Sequence, residues 1–313
     1  MSFNTFVLRE AYKRYQKLGD RLTDAERLID WKAFTPIIAG LFSNNTPLGG
    51  RPNYDGIMML KMLVLQQWHG LTDQELEKQV ADRLSFLSFL GFPERIPDYS
   101  TVWLFRERLI KSGKMDKVWK ELQRQLDSRG LDPKKIVAQD STFITADHGA
   151  SEPSKPRGNT AMTRRSRDGT WTKKLNRSYF GFKLHVKTDL RYGLIRAFRA
   201  TTASVHDSQV DLSTRGEIVY RDKGYFRVPA KGFDATMQRG TRAGPIDVWD
   251  RLRNARISRK RAPIERTFAV LKRVLKAGHV LVTTVPRVRA KMLFSCICFN
   301  LMQVITLRKR APA

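Results

Sequence analysis

The 313-residue chain has few cysteines and no long uninterrupted apolar run. Its two cysteines, Cys296 and Cys298, are two residues apart, and without other Cys or a His cluster nearby they exclude a disulfide framework and a zinc site. The most apolar stretch, Met292–Leu307, contains Asn300 and Gln303. Because a membrane-spanning helix needs roughly 18 or more apolar residues, this stretch predicts a buried helix. The start of the chain also lacks the apolar run of a signal peptide, so we expect a cytoplasmic protein with no membrane partner.

Acidic residues are scarce in the second part of the chain. Residues 131–313 carry 38 Lys and Arg against 14 Asp and Glu, whereas residues 1–130 carry 20 against 16. Together with a formal net charge of +28, this excess of basic residues predicts a polyanionic partner, and nucleic acid is the first candidate. The charge is spread over a whole domain rather than along one amphipathic helix, which argues against a membrane surface.

The pattern of residues 1–130 predicts an all-helical domain. Thr23-x-x-Glu26 and Thr72-x-x-Glu75 are typical of helix N-termini, and apolar residues at helical spacing predict a helix from about residue 54 to 68. A later helix carries Arg106 and Arg108 and follows a break that contains Pro93 and Pro97. We interpret residues 1–130 as a DNA-binding domain in which Arg106 and Arg108 contact DNA, although a charged helix face is usually just solvated.

The pattern changes at residue 131 to strands with interleaved helices. This order predicts a mixed α/β sheet with helices packed over it, in a second domain that spans residues 131–313. A basic loop is predicted at residues 146–178, which carry eight basic and three acidic side chains. The predicted strands lie at residues 134–140, 180–189, 193–201 and 218–221, and a long helix is predicted at residues 263–276, ahead of the buried helix at the end of the chain.

Three carboxylates stand out in this basic domain. Asp140 and Asp222 stand at the ends of predicted strands, and Glu265 lies in the first turn of the predicted helix among several Arg and Lys. Carboxylates from different elements are the ligands that Mg²⁺ prefers, and a pair of Mg²⁺ ions supports in-line phosphoryl transfer. Taken singly, each residue also fits a structural role, as a turn cap, a helix-dipole partner or a salt-bridge partner.

Five motifs in order resemble the DDE transposases of bacterial and archaeal insertion sequences, specifically the insertion sequence five group within the insertion sequence four superfamily. The first and second aspartates lie in Val-Ala-Gln-Asp140-Ser-Thr and Val-Tyr-Arg-Asp222-Lys-Gly-Tyr. Arg261-x3-Glu265-x6-Lys272 is similar to the third, glutamate-bearing motif. The remaining two motifs are Tyr179-Phe-Gly-Phe-Lys-Leu-His185 and Thr202-Ala-Ser-Val-His206-Asp207-Ser208. In the helical part, Arg51-Pro-Asn-Tyr-Asp55 and Asp98-Tyr-Ser-Thr-Val-Trp-Leu-Phe-Arg106 are also similar to the family's N-terminal domain.

The resemblance implies a ribonuclease H-like fold and a metal-dependent enzyme. Asp140, Asp222 and Glu265 are then the catalytic residues, holding two Mg²⁺ or Mn²⁺ ions, and Arg261, Lys272 and Lys223 are expected to bind DNA. It further implies that a homodimer binds the terminal inverted repeats, cleaves the element ends and joins them to target DNA in the nucleoid. His185 and His206 are more often packing or hydrogen-bonding residues than metal ligands.

Two departures from the family pattern leave alternatives open. Ser258 stands where the third motif usually has a tyrosine, and the interval between Asp207 and Asp222 is short. One alternative is a related nuclease that cuts without joining. The other is a domesticated or decayed copy that binds DNA without cutting it.

Overall fold

The computed structural model describes residues 3–42, 52–133, 135–149, 166–174, 176–240 and 244–310. The chain divides into two compact units. One consists of Met1–Gly130 with Leu293–Ala313, and the other is Leu131–Met292. The predicted domain 131–313 therefore differs from the second unit, because the last residues of the chain belong to the helical unit. The predicted break before residue 54 and most of the predicted basic loop lie outside the described residues.

The first unit is built from helices that enclose an apolar core. Thr72 Oγ1 accepts a hydrogen bond from Glu75 N (3.1 Å), which confirms the second predicted helix start. The first was wrong: the helix begins earlier, because Asp20 supplies the cap by accepting from Leu22 N. The helices are α1 (Phe3–Gln16), α2 (Arg21–Leu28), α3 (Thr35–Ile38), α4 (Gly56–His69), α5 (Asp73–Asp82), α6 (Leu84–Phe89), α7 (Tyr99–Lys111) and α8 (Met115–Ser128).

The second unit is built on one mixed sheet. Its strands are β1 (Ile136–Ala146), β2 (Thr170–Lys174), β3 (Arg177–Asp189), β4 (Ile195–Thr202), β5 (Ile218–Arg221), β6 (Phe233–Thr236) and β7 (His279–Val280). β3 pairs antiparallel with both β1 and β4, while β5 runs parallel to β1 and β6 parallel to β5. The spatial order β4-β3-β1-β5-β6, with an antiparallel hairpin beside a parallel half, is the expected ribonuclease H-like arrangement.

Two elements of the second unit differ from their predicted lengths. β1 continues through polar residues to Ala146, because β3 supplies partners as far as Thr145, so Asp140 lies within the strand rather than at its end. The long helix α9 (Val248–Ala269) begins about fifteen residues before its predicted start and contains Pro263. Asp247 caps α9 by accepting from Asp250 N, and the stretch that follows is rich in Arg, a good helix former, so the helix runs on past the proline.

The last helix, α10 (Val285–Arg310), explains why the chain's end belongs to the first unit. Its side chains Ile297 and Leu301 line an apolar cavity together with Trp31 and Leu60 of that unit, and Cys298 Sγ donates to Val64 O (3.5 Å). By length and composition α10 could cross a membrane, but 72% of its most apolar stretch is buried inside the fold. Its burial is therefore that of a core helix.

Candidate active site

Asp140 occupies the middle of β1, where its half-buried carboxylate has two partners. Oδ1 accepts a hydrogen bond from Ser141 N (2.8 Å), and Oδ2 pairs with Arg261 Nη2 of α9 (2.6 Å). α9 packs against β1 and β5, so it brings the guanidinium across the sheet to the strand. The site is thus assembled from residues that are 121 positions apart in the chain.

Asp222 follows β5 directly, as predicted, and caps the short 3-10 turn Lys223–Tyr225. Its Oδ1 accepts from Gly224 N at 2.8 Å. A Cβ at Gly224 would lie 3.0 Å from that oxygen, so a side chain there would crowd the turn. Because β5 pairs in parallel with β1, with Tyr220 opposite Ala138, Asp222 and Asp140 each lie two residues further along neighbouring strands.

The charge balance around Asp140 is negative. The pKa of Asp140 is raised to about 6: burial is the largest cause and the nearby charges of Asp222 and Asp207 contribute, while Arg261 and the Ser141 N–H act in the opposite direction. Removal of a carboxylate from water disfavours its charged form, and nearby carboxylates add to that cost. Arg261 at Asp140 and Lys183 at Asp207 supply two positive charges against three aspartates, so a negative charge remains that a bound cation would compensate.

Asp207 lies near Asp140 in the fold, although the sequence did not predict it as a site residue. It begins the 3-10 turn Asp207–Gln209, which packs against the turn that follows Asp222. Its Oδ1 lies 3.0 Å from Lys183 Nζ, and that ammonium also donates to Val205 O (2.8 Å). Only the motif His206-Asp207-Ser208 hinted at this position, since nothing local showed that it would face Asp140.

Glu265 lies one helical turn after Arg261 on α9, and its side chain is exposed. Successive turns of a helix share a face, so Glu265 stands beside the Asp140–Arg261 pair along the helix axis. Within the described residues, no three His, Cys, Asp or Glu side chains lie close enough together to hold a metal ion. The structure therefore brings the two predicted aspartates together and leaves the glutamate at the edge of the site.

The remaining predicted DNA-binding residues have different surroundings. Lys223 is exposed in the turn after Asp222, and Lys272 lies half-buried in the π-helical turn Val270–Val274 that continues α9. In the first unit, Arg106 forms a bidentate ion pair with Asp73 (both distances 2.7 Å) and also donates to Gln66. Arg108 is half-buried with its guanidinium over the Phe42 ring, 5.9 Å from the centroid.

Buried polar side chains fix the strands that carry the aspartates. Gln139, fully buried, donates to Val210 O and accepts from Leu212 N (2.8 Å), so it ties β1 to the segment after the Asp207 turn. His185 shares a hydrogen bond with Thr201 (2.9 Å), and burial lowers its pKa to about 4, so its ring is neutral at physiological pH. These contacts give His185 a packing and hydrogen-bonding role.

Comparison with known proteins matches both parts of the chain. The family Transposase domain (DUF772) covers residues 10–108, and the family Transposase DDE domain covers residues 132–301, more than half of the chain. A solved structure titled as a cryo-EM synaptic complex of piggyBac transposase with hairpin DNA is 12% identical, with a TM-score of 0.45, over 92% of this chain and 75% of that one. The family match is the finding that classifies the protein. The chain belongs to the Transposase DDE domain family, and it is a DNA transposase.

Proposed function

We propose that the protein is an insertion-sequence transposase of the insertion sequence five group, with Asp140, Asp222 and Glu265 as its catalytic residues. It binds the terminal inverted repeats, cleaves the DNA at the element ends and joins the freed 3′ ends to target DNA. The observation that carries this proposal is the convergence of Asp140 and Asp222 on one another under Arg261, within the domain that matches the family.

The carboxylates fit the divalent ions that such chemistry uses. Asp140 and Asp222 share a half-buried region with excess negative charge, and hard oxygen ligands of this kind suit Mg²⁺ or Mn²⁺. We propose two ions, held by Asp140, Asp222 and, after a rotamer change, the exposed Glu265. When bound, the ions activate the attacking oxygen and stabilise the leaving one.

The surrounding side chains serve to hold and orient the DNA backbone. Arg261 keeps one Asp140 oxygen in place, and its positive charge beside Asp140 would attract a phosphate there. Lys223 stands exposed beside Asp222, and Lys272 follows Glu265 along the same helical element, so both are suited to phosphate contacts. Asp207 restrains Lys183 and the turn next to Asp222.

The helical unit is the proposed DNA-binding domain, with residues 1–130 as its main part. There we assign DNA contact to Arg108 and a structural role to Arg106, because the guanidinium of Arg106 is taken up by Asp73 and Gln66. We propose that the protein acts as a homodimer on double-stranded DNA, since two element ends must be brought together, and that it works in the cytoplasm at the nucleoid.

The experiment uses duplexes that carry the inverted repeats bracketing the gene. Cleavage at the element end and joining of pre-cleaved ends to a plasmid are measured with Mg²⁺ or Mn²⁺. We expect wild type to do both, and Asp222→Asn and Glu265→Gln to do neither. Glu94→Gln, which removes an exposed carboxylate in the first unit, serves as the control and should behave as wild type.

Each alternative has its own outcome in this assay. Cleavage without joining identifies a related nuclease, and salt-sensitive binding without cleavage identifies a decayed or domesticated copy. If Asp222→Asn joins ends at the normal rate, the catalytic assignment is wrong.

A further inference from the structure

A two-stranded ribbon extends from the catalytic sheet. β2 pairs with residues 177–181 of β3, whereas β1 and β4 pair with β3 only from residues 181 and 182 onwards. In the pairing of the described residues, the first residues of β3 thus have β2 alone as their neighbour. The ribbon lies beyond the carboxyl end of β1, which is also the end of the sheet at which Asp222 follows β5.

The ribbon is basic and carries an exposed aromatic ring. Residues 170–181 contain three basic side chains and no acidic one. Lys173 and Arg177 are exposed, and Trp171 is 50% exposed although it packs against Phe180, with ring centroids 5.3 Å apart. Cationic side chains with an exposed aromatic ring suit a polyanion that offers phosphates and flat bases.

The base of the ribbon is held by hydrogen bonds to the start of α10 and by a tight junction in β3, which makes the ribbon an arm of defined direction. Just before β2, Ser166 Oγ donates to Thr283 O (3.2 Å), and Asp168 Oδ2 accepts from Val285 N (2.7 Å). At the junction, Gly181 has φ +151°, and a Cβ there would lie 2.1 Å from the Ile144 carbonyl oxygen. A glycine is therefore required where β3 leaves the sheet.

The reach of the ribbon matches a stretch of DNA next to the catalytic centre. Val186 pairs with Asp140, and Arg177 lies nine residues earlier on β3. At about 3.3 Å per residue, the strand spans up to about 30 Å between these two positions. Duplex DNA rises about 3.4 Å per base pair, so this length corresponds to about nine base pairs.

We propose that the β2–β3 ribbon is a DNA-binding arm, in which Lys173 and Arg177 contact backbone phosphates up to about nine base pairs from the cleaved phosphodiester. This proposal rests on the proposed function, because it takes the DNA to be the duplex whose scissile phosphate lies at Asp140 and Asp222. A β-ribbon fits the major groove of duplex DNA, and phosphate contacts would set its register without reading the sequence.

The test compares two double variants of the full chain that remove the same charge from opposite ends of the sheet. Lys173→Gln/Arg177→Gln changes the ribbon, and Arg191→Gln/Arg215→Gln changes exposed arginines near the far end, in the β3–β4 turn and ahead of β5. Binding of a mixed-sequence duplex of about 30 base pairs is followed by anisotropy between roughly 50 and 200 mM salt. We expect the ribbon variant to bind at least about tenfold more weakly at 100 mM salt, with the slope of log K against log salt reduced by about two.

The control variant should keep the wild-type slope, and Lys173→Arg/Arg177→Lys should bind like wild type because both positive charges are kept. Hydroxyl-radical footprints on the element-end duplex should lose protection about nine base pairs from the cleavage site in the ribbon variant alone. Equal slopes for the ribbon and control variants, with wild type binding in a steeply salt-dependent way, overturn the ribbon proposal only. Wild type that binds no duplex overturns the proposed function itself.

Discussion

Two of the arginine–aspartate pairs in the described part of the chain have similar burial but opposite character. In the helical unit, Arg106 grips both oxygens of Asp73, and although burial raises the pKa of that carboxyl, the bonds and charge of Arg106 and the Gln66 amide lower it more. In the catalytic unit, Arg261 reaches one oxygen of Asp140, whose pKa rises to about 6.

The difference lies in what else faces each carboxylate. Asp73 has only donors around it, so its charge is stabilised and the pair holds α5 against α4 and α7. Asp140 has two further aspartates near it and a single arginine contact. The negative charge of Asp73 is compensated by protein groups alone, whereas the negative charge around Asp140 needs an added cation. Asp140 is a half-buried carboxylate whose ionised form is unfavourable in the protein, and such a perturbed group indicates a functional site.

The largest effect is expected on catalysis, and it separates the two aspartates most sharply. Asp140→Asn should lower end cleavage by about a thousandfold or more, because the substitution removes a charge that the reaction needs. Asp73→Asn, assayed well below its melting temperature, should keep cleavage within a few-fold of wild type. A comparable loss of activity in both variants, with both still folded by circular dichroism, would contradict the division into functional and structural pairs.

The next effect concerns stability in the helical unit. Arg106→Ala should lower the free energy of unfolding by about 2–3 kcal/mol, because it leaves Asp73 partly buried without its partner. Urea unfolding in EDTA measures the change. Arg261→Ala is the matched variant: it should cost less, since Asp140 can take up a proton near neutral pH. If Arg261→Ala is the more destabilising of the two, the Arg106–Asp73 pair is not the one that mainly stabilises the fold.

A smaller effect, of opposite sign, is expected for Asp140→Asn without metal. The pKa of Asp140 is about 6 in the fold against an ordinary value of 3.8, so the folded state holds the proton more tightly than the unfolded state. Stability from this group is present below about pH 4 and is lost as the pH rises through 6. Asp140→Asn should therefore raise the free energy of unfolding by roughly 1–3 kcal/mol at pH 8 in EDTA.

The pH dependence supplies the control for that variant. The gain of Asp140→Asn should shrink towards zero as the pH falls to about 4, because wild-type Asp140 is then protonated in the folded state. Asp73→Asn should show the reverse pattern, with its loss of stability largest above the ordinary carboxyl range, since the pKa of Asp73 is lowered. Identical pH profiles for the two variants would refute the charge balance described for the sites.

The smallest expected effect is stabilisation by the metal itself. Added Mg²⁺ should raise the free energy of unfolding of wild type by about 1.4 kcal/mol at ten times its dissociation constant. The effect should vanish in Asp222→Asn and persist in Asp73→Asn. Thermal melts with and without Mg²⁺ make the measurement, and a gain that survives in Asp222→Asn would place the ion elsewhere.

Much of the catalytic sheet could be predicted because local patterns carry it. The alternation in β3 and β4 and the apolar run that ends at Asp222 predicted their elements well. The start of α9 and the length of β1 could not be predicted in the same way. Pro263 is typical of a helix start, and the polar end of β1 resembles a loop until β3 supplies its hydrogen bonds.

The sequence by itself determined the two-part organisation at residue 130, the basic character of the second part and the motifs of the family, since these depend on residue order and composition. Only the tertiary structure decided which charges meet. In the fold, Arg106 pairs with Asp73 and Asp207 lies near Asp140. Glu265 is exposed, and the end of α10 belongs to the helical unit. The reason is physical: pairing across 33 or 121 residues depends on packing, and no local pattern encodes it.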